Sequence, residues 1–489
     1  RSTHCISSAA SDVYKRQALS LALAMGLSLV ACSGSSDSTT ASNGGNDASS
    51  EEGGSSEAAG EEGTVFNIYC WNDEFAGRMA NFMPGYTADD VKNPANGGVM
   101  DDGTRVNFVV TPSDDNAYQN KLDATLPNNA SAAADDKVDM FLIEADYALK
   151  YVNADVTMNV EDLGITADDM ADMYQYTKDI VTSDDGAVKA VSWQATPGLF
   201  AYRRSIAKEV LGSDDPATVQ ESVKDWPTFN ATAEKMKAAG YFMLAGYDDS
   251  YRAFSNNVSQ GWVVDGVVTV DPKLKEWVDQ TKEFTDKGYN NKASLWSAEW
   301  AAEQGPNGKT FGFFYSTWGI NFTLMGNSLA DQDAEEAVGN GIYGDWAVCE
   351  GPAAYYWGGS WICGATGTDN PTLVHDIMYS MTCDPAIAKS ITEETQDYTN
   401  NEPAMEEIAN SDFQSDFLGG QNHIALFTEA APKIDMSNAG PYDQGCNEEF
   451  QGAMKDYFDG TVADYDTALA NFYQTIQTKY PELQVPAAE

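Results

Sequence analysis

The chain has 489 residues, 43% of them hydrophobic and 21% charged, which is enough for two or three globular domains with cores of their own. Acidic residues outnumber basic ones by 75 to 28, a formal charge of −47, and a field of that sign repels phosphate-bearing partners and excludes nucleic-acid binding. Three histidines (His4, His375 and His423) are too few for a His-rich metal site or a relay of imidazoles, and no metal or cofactor is expected.

Residues 18–31 (ALSLALAMGLSLVA) are uncharged and too short for the roughly 20 residues a bilayer span needs, but they suit a signal-peptide core. Residues 1–31 are therefore expected to be a targeting segment, behind an extreme N-terminus of artefactual, adapter-like sequence. The string Leu29-Val30-Ala31-Cys32-Ser33 resembles the lipobox of bacterial lipoproteins, which implies lipidation at Cys32. Residues 33–63 hold nine Ser, seven Gly and seven acids, with no aromatic and no Leu, Ile or Val, so they cannot bury apolar surface. As a Gly/Ser coil they reach about 30 Å, the scale of a tether.

From residue 64 the pattern changes. Residues 64–71 (TVFNIYCW), 105–110 and 139–143 read as strands, with a helix over 116–126 between the last two. Helices are predicted over 229–239 and 274–287, closed by Gly240 and Gly288, and over 464–480, where Tyr465, Leu469, Phe472, Ile476 and Tyr480 recur at helical spacing. Such alternation predicts α/β layers with largely parallel sheets, in two lobes. The body contains five cysteines: Cys70, Cys349, Cys363, Cys383 and Cys446. An odd count leaves one unpaired. Cys349 and Cys363 flank a turn-rich stretch and are either a disulfide across paired strands or buried thiols.

Catalytic signatures fail. Gly308-Lys309-Thr310 lacks the first glycine of a phosphate loop, where Glu303 stands. Gly359-Ser360 lacks the spacing of a nucleophile elbow. Carboxylate pairs such as Asp248/Asp249 carry no information among 75 acids. The aromatic distribution is more telling. Trp71, Trp193, Trp318, Trp357 and Trp361 lie in strand-to-loop contexts beside amides, carboxylates and glycines, as in Trp71-Asn72-Asp73 and Trp357-Gly358-Gly359-Ser360-Trp361. Aromatic planes stack on the C–H faces of a sugar while polar groups bond its hydroxyl rim, so this composition suits a carbohydrate site.

In order along the chain, Trp71-Asn72-Asp73, residues 139–147 (DMFLIEADY), 197–211 (PGLFAYRRSIAKEVL), the Trp-Pro-Thr-Phe start at Trp226, residues 315–321 and the Trp-Gly-Gly run at 357–359 resemble the extracellular solute-binding lipoproteins of bacterial carbohydrate ABC importers, the maltose-binding-protein-like family. That resemblance implies a two-lobe, type II periplasmic-binding-protein-like fold, with residues 64–190 plus 349–380 in one lobe and 191–348 plus 381–489 in the other. It implies a ligand site from Trp71, Asn72, Asp73, Asp146, Trp193, Arg203, Asp249, Tyr251, Trp318 and Trp357, no catalytic residue, a membrane permease as partner, and a monomer anchored by lipid to the outer face of the cytoplasmic membrane. Three alternatives stay open: a polyamine or other cation held by aromatic faces and Asp73, Asp146 and Asp249, a secreted glycoside hydrolase, and a glycan-capture lipoprotein without a permease.

Overall fold

The structure is a computed structural model that describes residues 63–486. The targeting segment, Cys32 and most of the tether lie outside the described residues. Fourteen strands enter in chain order: β1 (Val65–Cys70), β2 (Tyr86–Ala88), β3 (Gly98–Met100), β4 (Arg105–Val110), β5 (Met140–Glu144), β6 (Ala190–Ser192), β7 (Gly198–Arg203), β8 (Leu244–Gly246), β9 (Val263–Val264), β10 (Val267–Val268), β11 (Asn290–Ala293), β12 (Gly312–Ser316), β13 (Trp346–Cys349) and β14 (Ser360–Gly364).

The first lobe is built on a seven-stranded sheet in the order β2-β3-β4-β1-β5-β14-β6. In β1, Phe66, Ile68 and Cys70 alternate onto one face, where they meet Phe75 and Met79 of the helix Glu74–Phe82 and Ile377 of the helix Pro371–Thr382. Tyr69 points to the other face with Tyr118 and Phe141. The Tyr118 hydroxyl donates to Tyr69 O (2.9 Å) and Leu142 O (2.7 Å), tying the helix Ala117–Thr125 across β1 and β5.

The second lobe centres on β7, with β12 and β13 antiparallel on either side. Every residue of β7 is buried, Leu199 and Ala201 on one face and Phe200 and Tyr202 on the other. β8 and its parallel partner β11 form a separate two-stranded sheet beside β12, to which Phe311 N–H donating to Phe242 O (2.8 Å) ties it. The helices Asp443–Asp459 and Tyr465–Lys479 pack on each other and on Pro272–Lys287, burying Trp277, Phe450, Phe472 and Ile476.

Helix ends follow the sequence closely. Asp225, Asp271 and Asp384 each precede a first turn containing proline and accept backbone N–H groups there. Gly240, Gly288 and Gly460 close their helices in the left-handed conformation. The same geometry absorbs part of the acid excess at helix N-termini, where a negative charge is stabilising.

Two features depart from expectation, and a third settles an open alternative. The sheets are mixed, because only the β1/β4 and β1/β5 pairs of the large sheet are parallel, while β14 re-enters from the second lobe and runs antiparallel to β5 and β6. Cys349 ends β13 in one sheet and Cys363 lies in β14 of the other, and both are buried free thiols. The helix Pro385–Thr395 packs against Glu74–Phe82, and Ile391 is buried with Phe75 and Met378 of the first lobe.

Three chain segments lie side by side between the sheets. Gly198 N–H donates to Tyr355 O (2.7 Å) and Trp357 N–H to Thr196 O (3.2 Å), joining 193–198 to 355–358. On the other flank, Ala195 N–H donates to Tyr398 O (3.1 Å) and Asn400 N–H to Trp193 O (2.9 Å). Gln194 Nε2 reaches both Glu74 (2.7 Å) and Asp397 (3.1 Å), and Arg78 joins Asp397 at 3.1 Å, a polar knot beneath the crossing.

Candidate functional site

The crossing segment delivers Trp357 to the end of β12, where the short helix Thr317–Gly319 presents Trp318. Trp318 Nε1–H donates to Trp357 O (3.0 Å), and the two rings meet edge to face at 5.4 Å. Tyr315 stacks behind Trp357 at 6.2 Å. A third indole completes the group: Trp296 lies 6.2 Å from Trp318, nearly parallel, and 5.8 Å from Trp357. Trp296 is 43% exposed and has φ +65°, a left-handed conformation that a bulky side chain adopts only when its surroundings impose it.

Gly358 makes the close approach possible. Its φ is +70°, and a Cβ there would stand 3.2 Å from Trp318 Nε1 and 3.6 Å from Glu144 Oε1. Glu144, at the end of β5, thus brings a first-lobe carboxyl to the tryptophans. Burial, reinforced by Asp146 and opposed by Arg252, pushes that carboxyl up to about 8.

Asp146 follows in the turn Ala145–Tyr147 and forms a bidentate pair with Arg252 of the helix Tyr251–Ser255, at 2.6 and 2.5 Å. Asp146, Arg252, Asn256, Tyr356, Asp443 and Asn447 line one cleft. Trp71 lies half-buried on the first lobe, edge-on to Tyr118 (5.6 Å) and Tyr147 (6.5 Å). Asn72 and Asp73 beside it are also half-buried, and Asn72 Oδ1 accepts the Glu74 N–H (3.2 Å).

The other residues singled out from sequence serve the interior. Trp193 is 1% exposed and packs on Phe75 at 5.1 Å, so its ring faces belong to the core. Arg203 is buried, pairs with Asp345 (3.0 Å) and lies over Trp346. Asp249 accepts Trp300 Nε1–H (2.7 Å) and Gly246 N–H (2.6 Å), an internal brace whose burial raises it to about 6. Tyr251 is buried against Trp277 and donates to Asn447 Oδ1 (2.5 Å), and its neighbour Arg252 reaches the cleft instead. One cause is common to these placements: each side chain is satisfied by partners inside the protein, so little of it is left for a ligand. Trp361, 1% exposed, behaves likewise, its Nε1–H bonded to Thr177 O (2.8 Å).

Sequence reasoning missed Trp296, Glu144, Arg252 and Asp443. Trp296 stands in a Ser-Leu-Trp-Ser loop without flanking glycine, and Arg252 meets Asp146 across 106 residues of sequence. Glu144 lay within the strand-and-loop motif already noted, and its position directly after an apolar strand was the available signal. No group of three or more His, Cys, Asp or Glu suited to a metal ion occurs among the described residues, and none of their helices is long and apolar enough to cross a membrane.

Among solved structures, the chain is similar to an extracellular solute-binding protein family 1 structure (TM-score 0.65, 16% identity, covering 86% of this chain and 99% of that one). It is similar to the ABC-transporter-associated binding protein of B. animalis subsp. lactis Bl-04 in complex with β-1,6-galactobiose (TM-score 0.63, 16% identity, 87% and 100% covered). It is also similar to the galacto-N-biose/lacto-N-biose I-binding protein of Bifidobacterium longum in complex with lacto-N-biose (TM-score 0.61, 15% identity, 87% and 100% covered). At these identities the likeness shows the fold, which is the two-lobe α/β architecture. A search of curated proteins finds no match. The family model described as bacterial extracellular solute-binding protein matches residues 99–417, well over half of the sequence, and the chain therefore belongs to that family of binding proteins.

Proposed function

We propose that this protein is the substrate-binding component of an ABC importer, which captures a sugar or oligosaccharide between its lobes and hands it unaltered to a membrane permease. The observation that carries this reading is the group of Trp296, Trp318 and Trp357 at the crossing, with a partly exposed ring beside the polar atoms of Glu144. Pyranose rings offer C–H faces to such planes and hydroxyls to such a carboxyl, which is neutral in the closed cleft and can both donate and accept. The relatives of known structure noted above were solved with galactobiose and lacto-N-biose, which agrees with this ligand class.

In this reading Trp71, Asn72 and Asp73 form the first lobe's face of the site and Trp318 the other, with Trp357 at the crossing. The lobes divide near residues 190 and 349 and again beyond the helix Pro385–Thr395, which packs with the first lobe. Ligand favours closure through its greater affinity for the closed form. Cys32 carries the lipid anchor, and the tether keeps a monomer within reach of the permease at raised effective concentration. No bond-making step is assigned to any residue.

A second reading keeps the fold and exchanges the sugar for a polyamine. Glu144 beside an aromatic group favours it, because an ammonium held against the indole faces would draw Glu144 into its ionised form and pair with it. Thermal-shift screening separates the two. A panel of mono- and disaccharides, including β-1,6-galactobiose, is expected to contain a ligand that raises Tm at micromolar concentration. A rise with spermidine or putrescine and with no saccharide overturns the sugar assignment.

A further inference from the structure

The cleft has a polar closure of its own on the side of Arg252. Asp146 belongs to the first lobe, Arg252 to the second, and their bidentate pair leaves neither side chain more than 19% exposed. A second bridge stands beside it. Gln444, in the helix Asp443–Asp459, accepts from Gln119 (3.1 Å) and donates to Asn116 (2.9 Å) of the first lobe. Three carboxyl groups gather around the one guanidinium, Glu144 and Asp146 from the first lobe and Asp443 from the second, and all three feel it electrostatically. Asp443 Oδ1 is buried without a hydrogen-bond partner. A single cation cannot balance three anions in a water-poor interface, so bringing the lobes together leaves two carboxylates to be neutralised in another way.

Building on the capture reading above, we propose that closure of the two lobes takes up protons at the Glu144, Asp146, Arg252 and Asp443 cluster, so that acidification drives the cleft shut. Burial first and Asp146 second push Glu144 up to about 8, with Arg252 opposing; burial pushes Asp443 up to about 7, against the Gly440 N–H bond to its Oδ2 (2.9 Å) and Arg252, with Asp146 adding to the rise. With the lobes apart these carboxyls face water and return toward the ordinary range of about 4. The closed form therefore binds more protons than the open form between about pH 4 and pH 8, and its share rises as pH falls through that window.

Most other titratable groups facing the cluster do not compete. Tyr147, on the same turn, Tyr251, beside Arg252, and Tyr356, on the crossing segment, are all held protonated by burial, as is Cys446, whose thiol is pushed up to about 12. Asp271 and Asp435, which also line the cleft, accept backbone N–H groups of Ser259 and Lys273 and of Ser437. Glu448, further along the helix from Asp443, is raised by burial and by Asp146, with Lys479 at 3.6 Å opposing. The larger part of the pH response is thus assigned to Glu144 and Asp443, which feel Arg252 directly.

A spin-label distance measurement tests this without any ligand. Nitroxides are placed at Asp102→Cys on the first lobe and Lys235→Cys on the second, both exposed positions, in the full chain with Cys5 and Cys32 replaced by serine. The five cysteines of the described body are buried and stay unlabelled. The shorter-distance population is expected to grow several-fold between pH 8 and pH 5.5. The paired isosteres Glu144→Gln and Asp443→Asn are expected to hold that population high at both pH values, and each single isostere to remove part of the change. A distance distribution identical at pH 8 and pH 5.5 in the parent protein, or a pH response that survives both isosteres, overturns the proposal. Because no sugar is present, the outcome is independent of the ligand assignment.

Discussion

Trp193 and Trp361, under the crossing between the lobes, differ from Trp318 and Trp357, at its rim, in what occupies their ring faces. Trp193 packs on Phe75 and Trp361 closes a bond to Thr177, and both are 1% exposed. Trp318 and Trp357 meet each other and Trp296, with Tyr315 and core residues behind Trp357, and the group as a whole stays partly open. All four sit in similar strand-to-loop sequence. The difference lies in how completely the protein itself covers each ring's faces. On the reading proposed above, the more open rings are the ones a ligand would meet.

The comparison can be broken first at its stability arm. Trp193→Ala removes a fully buried indole and leaves a cavity, so it is expected to cost about 3–5 kcal/mol in a denaturant titration. Saccharide affinity measured on the folded fraction should change little. A variant that keeps full stability but loses affinity would move Trp193 from the core to the site.

A second, smaller effect sharpens the contrast through titration. His423 is fully buried, donates from Nε2–H to Gln396 O (3.0 Å), and is lowered by burial to about 4. Unfolding exposes it to an ordinary pKa near 6.5, so the unfolded chain binds the extra proton between about pH 6.5 and pH 4. Its contribution is intact above that window and is lost as pH falls through it, by about 3 kcal/mol at pH 4. The cleft acids act in the opposite sense, since their raised values favour the closed form at low pH. Denaturation of the parent protein and His423→Gln at pH 7 and pH 4.5 should show a smaller pH penalty in the variant. An equal penalty would mean that His423 is protonated in the fold.

Much of the framework was legible because it is local. The β-branched and aromatic runs at β1, β4 and β5 mark strands, and Asp before Pro with Gly after Lys marks helix ends at 272–287. Strand direction was less legible. Whether β14 runs with or against β5 depends on the route of the chain through the second lobe, which no local pattern encodes. The site divides in the same way. The glycines beside Trp318 and Trp357 match their partial exposure, whereas Trp193, flanked by Ser192 and Gln194, is core, since its burial depends on Phe75 more than a hundred residues away. Arg252 and Asp443 were invisible because their meaning comes from the opposing lobe. Arg203 and Asp249 looked like rim groups because a charged residue carries no mark in the sequence of the internal partner it will find.

Titration calorimetry on the parent protein and the Trp318→Ala/Trp357→Ala variant, with whichever saccharide gives the largest thermal shift, tests ring-face capture most directly. The account predicts a loss of about 100-fold in affinity, near 2.7 kcal/mol, with the fold intact. Unchanged saccharide binding in the variant would contradict it.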